Sequence, residues 1–152
     1  MGVGIITFHR FCGTEVFALR KATLLLLDGD GYSQLAFDFE ADDTPTLTTV
    51  PENESLSASP GGEFNVDVSS LDVSGLVGRV FTIPHGNDDG HWLARIYYVD
   101  HNAARNCTIR ILERDGDRFR ASVNGHCTDF DYCDGSKPDA RFSLEAWFAL
   151  QS

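Results

Sequence analysis

Residues 107–123, CTIRILERDGDRFRASV, constrain the fold of this chain more than any other stretch. Apolar and polar residues alternate on both sides of Arg114-Asp115-Gly116, the pattern of two antiparallel strands joined by a tight turn. A type I turn with Gly116 left-handed would set Glu113 opposite Asp117. Ile111 then faces Phe119, Ile109 faces Ala121 and Cys107 faces Val123, all on one side. Thr108, Arg110 and Leu112 meet Ser122, Arg120 and Arg118 on the other. A slip by one residue would mix the two faces, so the pattern favours this register.

The same period of two recurs along the chain. Residues 3–11 are apolar and β-branched, as in a strand. Residues 15–27 also alternate; a helix capped by Thr14 is the alternative, since Ala, Leu, Arg and Lys are good helix formers. The strand is preferred because the turn signal Asp28-Gly29-Asp30-Gly31 follows and the next run is plainly β. In that run, residues 33–41, Leu35, Phe37 and Phe39 share one face while Gln34, Ala36, Asp38 and Glu40 share the other. Phe64, Val66 and Val68 alternate again, and residues 75–83 read as a further strand ended by a polar loop. Residues 91–100 are expected to form one strand with bulky residues on both faces, followed by a turn at 101–106. The final run, 141–150, places Phe142, Leu144, Ala146, Phe148 and Leu150 on one face, with Arg141, Ser143, Glu145 and Trp147 opposite. This strand matches the hairpin's apolar face and is expected to lie beside it.

Between these runs, residues 42–62 change character. Pro45, Pro51 and Pro60 forbid a continuous central strand, and Ser and Thr dominate the rest. The stretch is expected to be a mobile surface excursion of a single domain spanning residues 1–152, with a short edge strand near residues 47–50. Many short strands divided by Gly, Asp and Asn turns indicate an all-β fold with little helix. The expected architecture is an antiparallel β-sandwich, with a barrel as the alternative. The C-terminal half, with TDFDYCDGSKPDARFSLEAWF and its aromatic closing strand, resembles a bacterial β-sandwich without matching a named family.

The chain carries 23 acidic and 12 basic residues, a formal net charge of −11. That balance repels nucleic acid and anionic lipid, which need clustered Lys and Arg, and suits a basic protein partner. No apolar run is long enough to span a bilayer; the longest is Leu24 to Leu27. The opening residues lack the basic start of a signal peptide, and Ile6 stands where a myristoylation signal needs Ser or Thr. A cytoplasmic location with reduced thiols at Cys12, Cys107, Cys127 and Cys133 is the expectation, and a Cys127–Cys133 bridge the alternative in an oxidising compartment.

Three constellations could carry chemistry. Arg110, Arg118 and Arg120 on the hairpin's outer face, with Trp147 on the last strand, form a candidate binding patch. Like charges directly opposite each other destabilise a strand pair unless an anion sits between them. Glu145 can supply that anion from within the chain, and a bound carboxylate or phosphate is the functional alternative. Asp129, Asp131 and Asp134 form a candidate calcium site at one end of the sheet, although no stretch fits the EF-hand pattern and Asp-Gly pairs are ordinary turn chemistry. His101, Cys107, His126, Cys127 and Cys133 could meet around zinc, but the usual closely spaced cysteine pair is missing. No nucleophile elbow, P-loop or His-Glu-x-x-His motif is present. The expectation is a non-enzymatic binding domain for a basic partner, of the inhibitor or immunity type. A calcium-dependent sandwich that binds a carbohydrate or a membrane is the alternative.

Overall fold

The computed structural model describes residues 3–132 and 134–151, and it is all-β. The strands are β1 (Gly4–Arg10), β2 (Gly13–Gly29), β3 (Tyr32–Ala41), β4 (Leu47–Thr48), β5 (Gly61–Asp67), β6 (Val80–His85), β7 (Asn87–Asp88), β8 (His91–Trp92), β9 (Ala94–Tyr98), β10 (Asp100–Ala103), β11 (Arg105–Asp115), β12 (Arg118–Cys127) and β13 (Ala140–Gln151). Among the described residues, helix is confined to single 3-10 turns at Glu52–Glu54 and Val73–Gly75. None is long and apolar enough to cross a membrane.

Eleven strands form one sheet in the order β10-β9-β5-β3-β2-β1-β13-β12-β11-β6, with β4 on the flank of β2. Neighbours along this path run antiparallel. Beyond the end of β1, the tail of β13 also pairs in parallel with β2, Ala149 opposite Thr23. The sheet twists and curls until it nearly closes, so its inner face packs against itself. Phe37 on β3 meets Phe148 on β13 edge to face at 5.3 Å, and Phe64 on β5 stacks with Phe142 on β13 at 5.8 Å. Such contacts across the interior satisfy the apolar faces as the two layers of a sandwich do.

Closure depends on one glycine. Gly86, just past β6, accepts from the amides of Leu93 and Ala94, and Ala104 donates to Ala94. A Cβ on Gly86 would lie 2.2 Å from the Ala94 carbonyl oxygen and 2.3 Å from that of Ala104. The two ends of the sheet meet here because no side chain intervenes.

The apolar alternation places the core as expected: Leu35, Phe37 and Phe39 are buried, as are Phe142, Leu144, Ala146 and Phe148. β12 pairs with β13 along its whole length, so the final strand does lie beside the hairpin. β6 starts later than expected, at Val80, after the turn at Val73–Gly75.

Four local expectations need correction. The hairpin turns on Gly116-Asp117 alone, with Gly116 at φ 62°, so Asp115 pairs with Arg118, Arg114 with Phe119 and Glu113 with Arg120. A bulge at Leu112 then sets Ile111 opposite Ala121 and Ile109 opposite Val123, where Phe119 and Ala121 were expected. Bulge and turn together keep Cys107, Ile109, Ile111, Phe119, Ala121 and Val123 inward while opposing unlike charges at the tip, which the three-residue turn would not do. In β2 a bulge at Arg20 swaps the buried parity from Phe17 and Leu19 to Ala22 and Leu24. Residues 91–100 are not one strand: β8 is separate from β9, and Val99, at φ 70°, reverses the chain between Tyr98 and Asp100. Residues 101–106 are mostly strand, not turn.

The stretch 42–62 is stitched to the sheet by backbone hydrogen bonds. Thr46 and Thr49 donate to the carbonyls of Val16 and Thr14, and Ala41 to that of Pro60. Arg10 reaches the Glu54 carbonyl from inside at 2.8 Å.

Candidate groove on the outer face of the sheet

The outward residues of five adjacent strands line up in two rows. In the first row, Thr23 on β2 stands opposite Asp38 on β3, Asp38 opposite Glu63 on β5, and Glu63 opposite Arg95 on β9. In the second, Lys21 pairs with Glu40, Glu40 with Gly61, Gly61 with Tyr97, and Tyr97 with His101 on β10. Gly61 has no side chain, so the second row dips at its middle, and a groove of about 400 Å³ opens between the rows. Ser59 and Pro60, from the end of the 42–62 stretch, form one wall.

Each wall has a local cause. The β2 bulge turns two consecutive residues outward, so Arg20 and Lys21 both line the groove where a regular strand would bury one. Arg95 is held from two sides. Its Nη2 lies 2.5 Å from Glu63 Oε1, and its guanidinium sits 5.3 Å from the centre of the Trp92 ring. The strained reversal at Val99 brings His101 back beside Tyr97, with ring centres 4.5 Å apart. Tyr97 remains 42% exposed, a half-open aromatic wall.

The electrostatic focus is Asp38. Its Oδ1 is buried and accepts no hydrogen bond among the described residues. Burial pushes its carboxyl up to about 6, the Glu63 carboxylate adds to that rise, and Arg95 and Lys21 oppose it. A carboxylate oxygen out of water without a donor is costly. An incoming N–H or O–H could satisfy it, with Tyr97 offering a flat apolar surface alongside.

The residues singled out from sequence lie elsewhere. Arg110, Arg118, Arg120 and Trp147 share the outer face of β11, β12 and β13, with Arg120 and Trp147 as register partners. Arg120 is bound within the chain, to Glu113 at 2.6 Å and Glu145 at 3.0 Å. Glu145 thus plays the offsetting part expected of it. Arg110 stands opposite Ser122, not Arg120. Trp147 is half-buried.

Asp129, Asp131 and Asp134 are not gathered for a cation. Asp129 is fully buried, and both its oxygens accept from Arg10, at 3.0 and 3.2 Å. Burial would lower the Arg10 pKa, but the hydrogen bonds and charge of Asp129 outweigh it and raise it. Asp131 donates its amide to Asp129, and the Asp134 side chain accepts the amide of Ser136. No group of three or more candidate metal ligands occurs among the described residues.

Cys107 and Cys127 are free, buried thiols; burial pushes Cys107 up to about 12 and Cys127 higher still. Cys133, and with it any Cys127–Cys133 bridge, lies outside the described residues. Of the two histidines considered for zinc, His101 lines the groove, while His126 bonds the Asn106 side chain at 3.1 Å.

Sequence reasoning put Asp38 and Glu40 on the outward face of their strand but had no means of placing Glu63, Arg95 and Tyr97 next to them. No protein-family model matches the chain, and comparison with curated proteins and with solved structures finds no significant match.

Proposed function

We propose that this chain is a non-enzymatic binding domain that captures a basic protein partner through the outer groove, as an inhibitor or immunity-type protein would. The observation that carries this reading is the buried Oδ1 of Asp38, without a donor among the described residues, in an open groove on a chain of net charge −11. The long-range field draws a cationic surface inward. At close range, a Lys or Arg side chain laid over Gly61 would donate to Asp38 and rest its stem on Tyr97. Arg95 is paired with Glu63, which offsets part of its repulsion.

The test is titration with a short Arg/Lys peptide at low and high salt. Binding that weakens with salt and falls by about tenfold in Asp38→Asn, a loss of one donor bond to a charge, supports the reading. Binding indifferent to both salt and Asp38→Asn ends it.

Tyr97 favours a second reading, a carbohydrate-binding groove, because an exposed aromatic ring beside carboxylates suits a sugar face. Its mark would be saccharide binding lost in Tyr97→Ala and insensitive to salt. A calcium requirement finds no three-ligand group among the described residues.

A further inference from the structure

A second, separate cavity of about 310 Å³ lies where β2, the end of β9 and the 42–62 stretch meet. Its inner wall is Glu15 and Tyr98; its mouth is made by Asp43, Thr44, Ser55 and Ser57. Glu15 is 1% exposed, an acid placed at an inward position of β2 among Phe8, Phe17 and Tyr98. Tyr98 donates to Glu15 Oε2 at 3.1 Å, while Oε1 is buried and accepts no hydrogen bond among the described residues. The nearest cation does not fill that gap. Arg10 Nη1 stands 3.9 Å from Oε1, beyond hydrogen-bond range, and the guanidinium is already committed to Asp129 and the Glu54 carbonyl.

Every functional side chain facing the cavity therefore offers oxygen: two carboxylates, three aliphatic hydroxyls and a phenol already donating inward. Two carboxylates repel an anion, and too few metal-ligating groups converge for a metal ion among the described residues. The volume is at the lower end for small-molecule sites. Ser57 holds φ 50° at the mouth, a conformation a non-glycine residue adopts at some cost.

We propose that this cavity is a binding site for a small organic cation, an alkylammonium or guanidinium compound whose charged end donates to Glu15 and whose far end reaches Asp43. The site is independent of the outer groove: it uses the opposite face of β2 and different residues of the 42–62 stretch.

The experiment is calorimetric titration of the intact chain with 1,4-diaminobutane and with guanidinium at low concentration, using 1,4-butanediol as the uncharged match. Saturable binding of the diamine, with a rise in melting temperature, is expected, and the diol should not bind. Glu15→Gln should weaken diamine binding at least about tenfold. Because Glu15 is a core position, Asp43→Asn, at the exposed mouth, serves as the second variant and should weaken it several-fold. Asp38→Asn should leave it unchanged. No diamine binding, or binding unaltered in both Glu15→Gln and Asp43→Asn, would overturn the assignment.

Discussion

Asp38 on β3 and Glu63 on β5 are register partners on the outer face, yet they are served unequally. Glu63 has Arg95 at 2.5 Å, whereas Oδ1 of Asp38 is buried without a donor among the described residues. Folding therefore disfavours the ionised form of Asp38, whose carboxyl rises from 3.8 to about 6. A raised folded-state value means its contribution is most favourable below about pH 4, where the group is protonated folded or unfolded. That advantage is lost as pH climbs through about 6, where ionisation must be forced on the folded state. Asp38→Asn should accordingly be more stable than the parent above about pH 7, by on the order of 1 kcal/mol once solvent screening of this half-buried group is allowed for. The difference should fade below about pH 4. Urea unfolding at both pH values measures it, and a variant less stable than the parent at the higher pH would contradict the burial argument.

The Arg10–Asp129 pair sets a different expectation. Both side chains are fully out of water, and the contact is bidentate. Removing one partner strands the other charge in the core, at a cost of about 3–5 kcal/mol. Arg10→Met or Asp129→Leu alone should show that loss in urea unfolding. The double variant should lose much less than the sum, because neither charge is left behind. Additive losses would mean that the pair is not coupled.

At the closure point, Gly86 and Gly90 make a controlled comparison. An added methyl at Gly86 meets the carbonyl oxygens of Ala94 and Ala104 on the facing end of the sheet, whereas at Gly90 it meets open space despite a φ of 84°. Gly90→Ala should cost only about 1 kcal/mol, from backbone strain. Gly86→Ala must move backbone and should cost several times that. It should also speed hydrogen exchange at the Leu93 and Ala94 amides, which bond to the Gly86 carbonyl across the closure.

What could be read from sequence was local. The alternation of Leu35, Phe37 and Phe39, and of Phe142 through Phe148, identifies buried faces because a period of two is intrinsic to a strand. The neighbourhood of hairpin and last strand was legible for the same reason: matched apolar faces with Glu145 near Arg120. The groove was not legible. It depends on β5 being inserted between β3 and β9, a choice made by long-range packing, and on a bulge at Arg20 that no local pattern announces. Val99 misled in the other direction: a β-branched residue at positive φ is so disfavoured that continuing the strand was the natural reading. Nothing in the local pattern marks Glu15, at the start of the run 15–27, as buried; the curled sheet buries it against Tyr98.

The hairpin register makes a prediction that separates two otherwise similar arginines. Had Arg110 faced Arg120 directly, removing either would relieve repulsion and stabilise the chain. In the structure Arg110 faces Ser122, and no ion pair reaches it among the described residues. Arg120 instead bridges Glu113 and Glu145 with its side chain 28% exposed. Arg110→Ala should therefore change stability by less than about 0.5 kcal/mol at any ionic strength, as for an ordinary surface position. Arg120→Ala should cost about 1 kcal/mol at low salt, since it leaves two carboxylates facing each other across the strands. Roughly half of that should vanish at molar salt, because these groups are partly solvated and salt screens them. Urea midpoints for the two variants at low and high salt measure both effects; stabilisation by Arg110→Ala would restore the like-charge pairing and remove the bulge at Leu112 from the description.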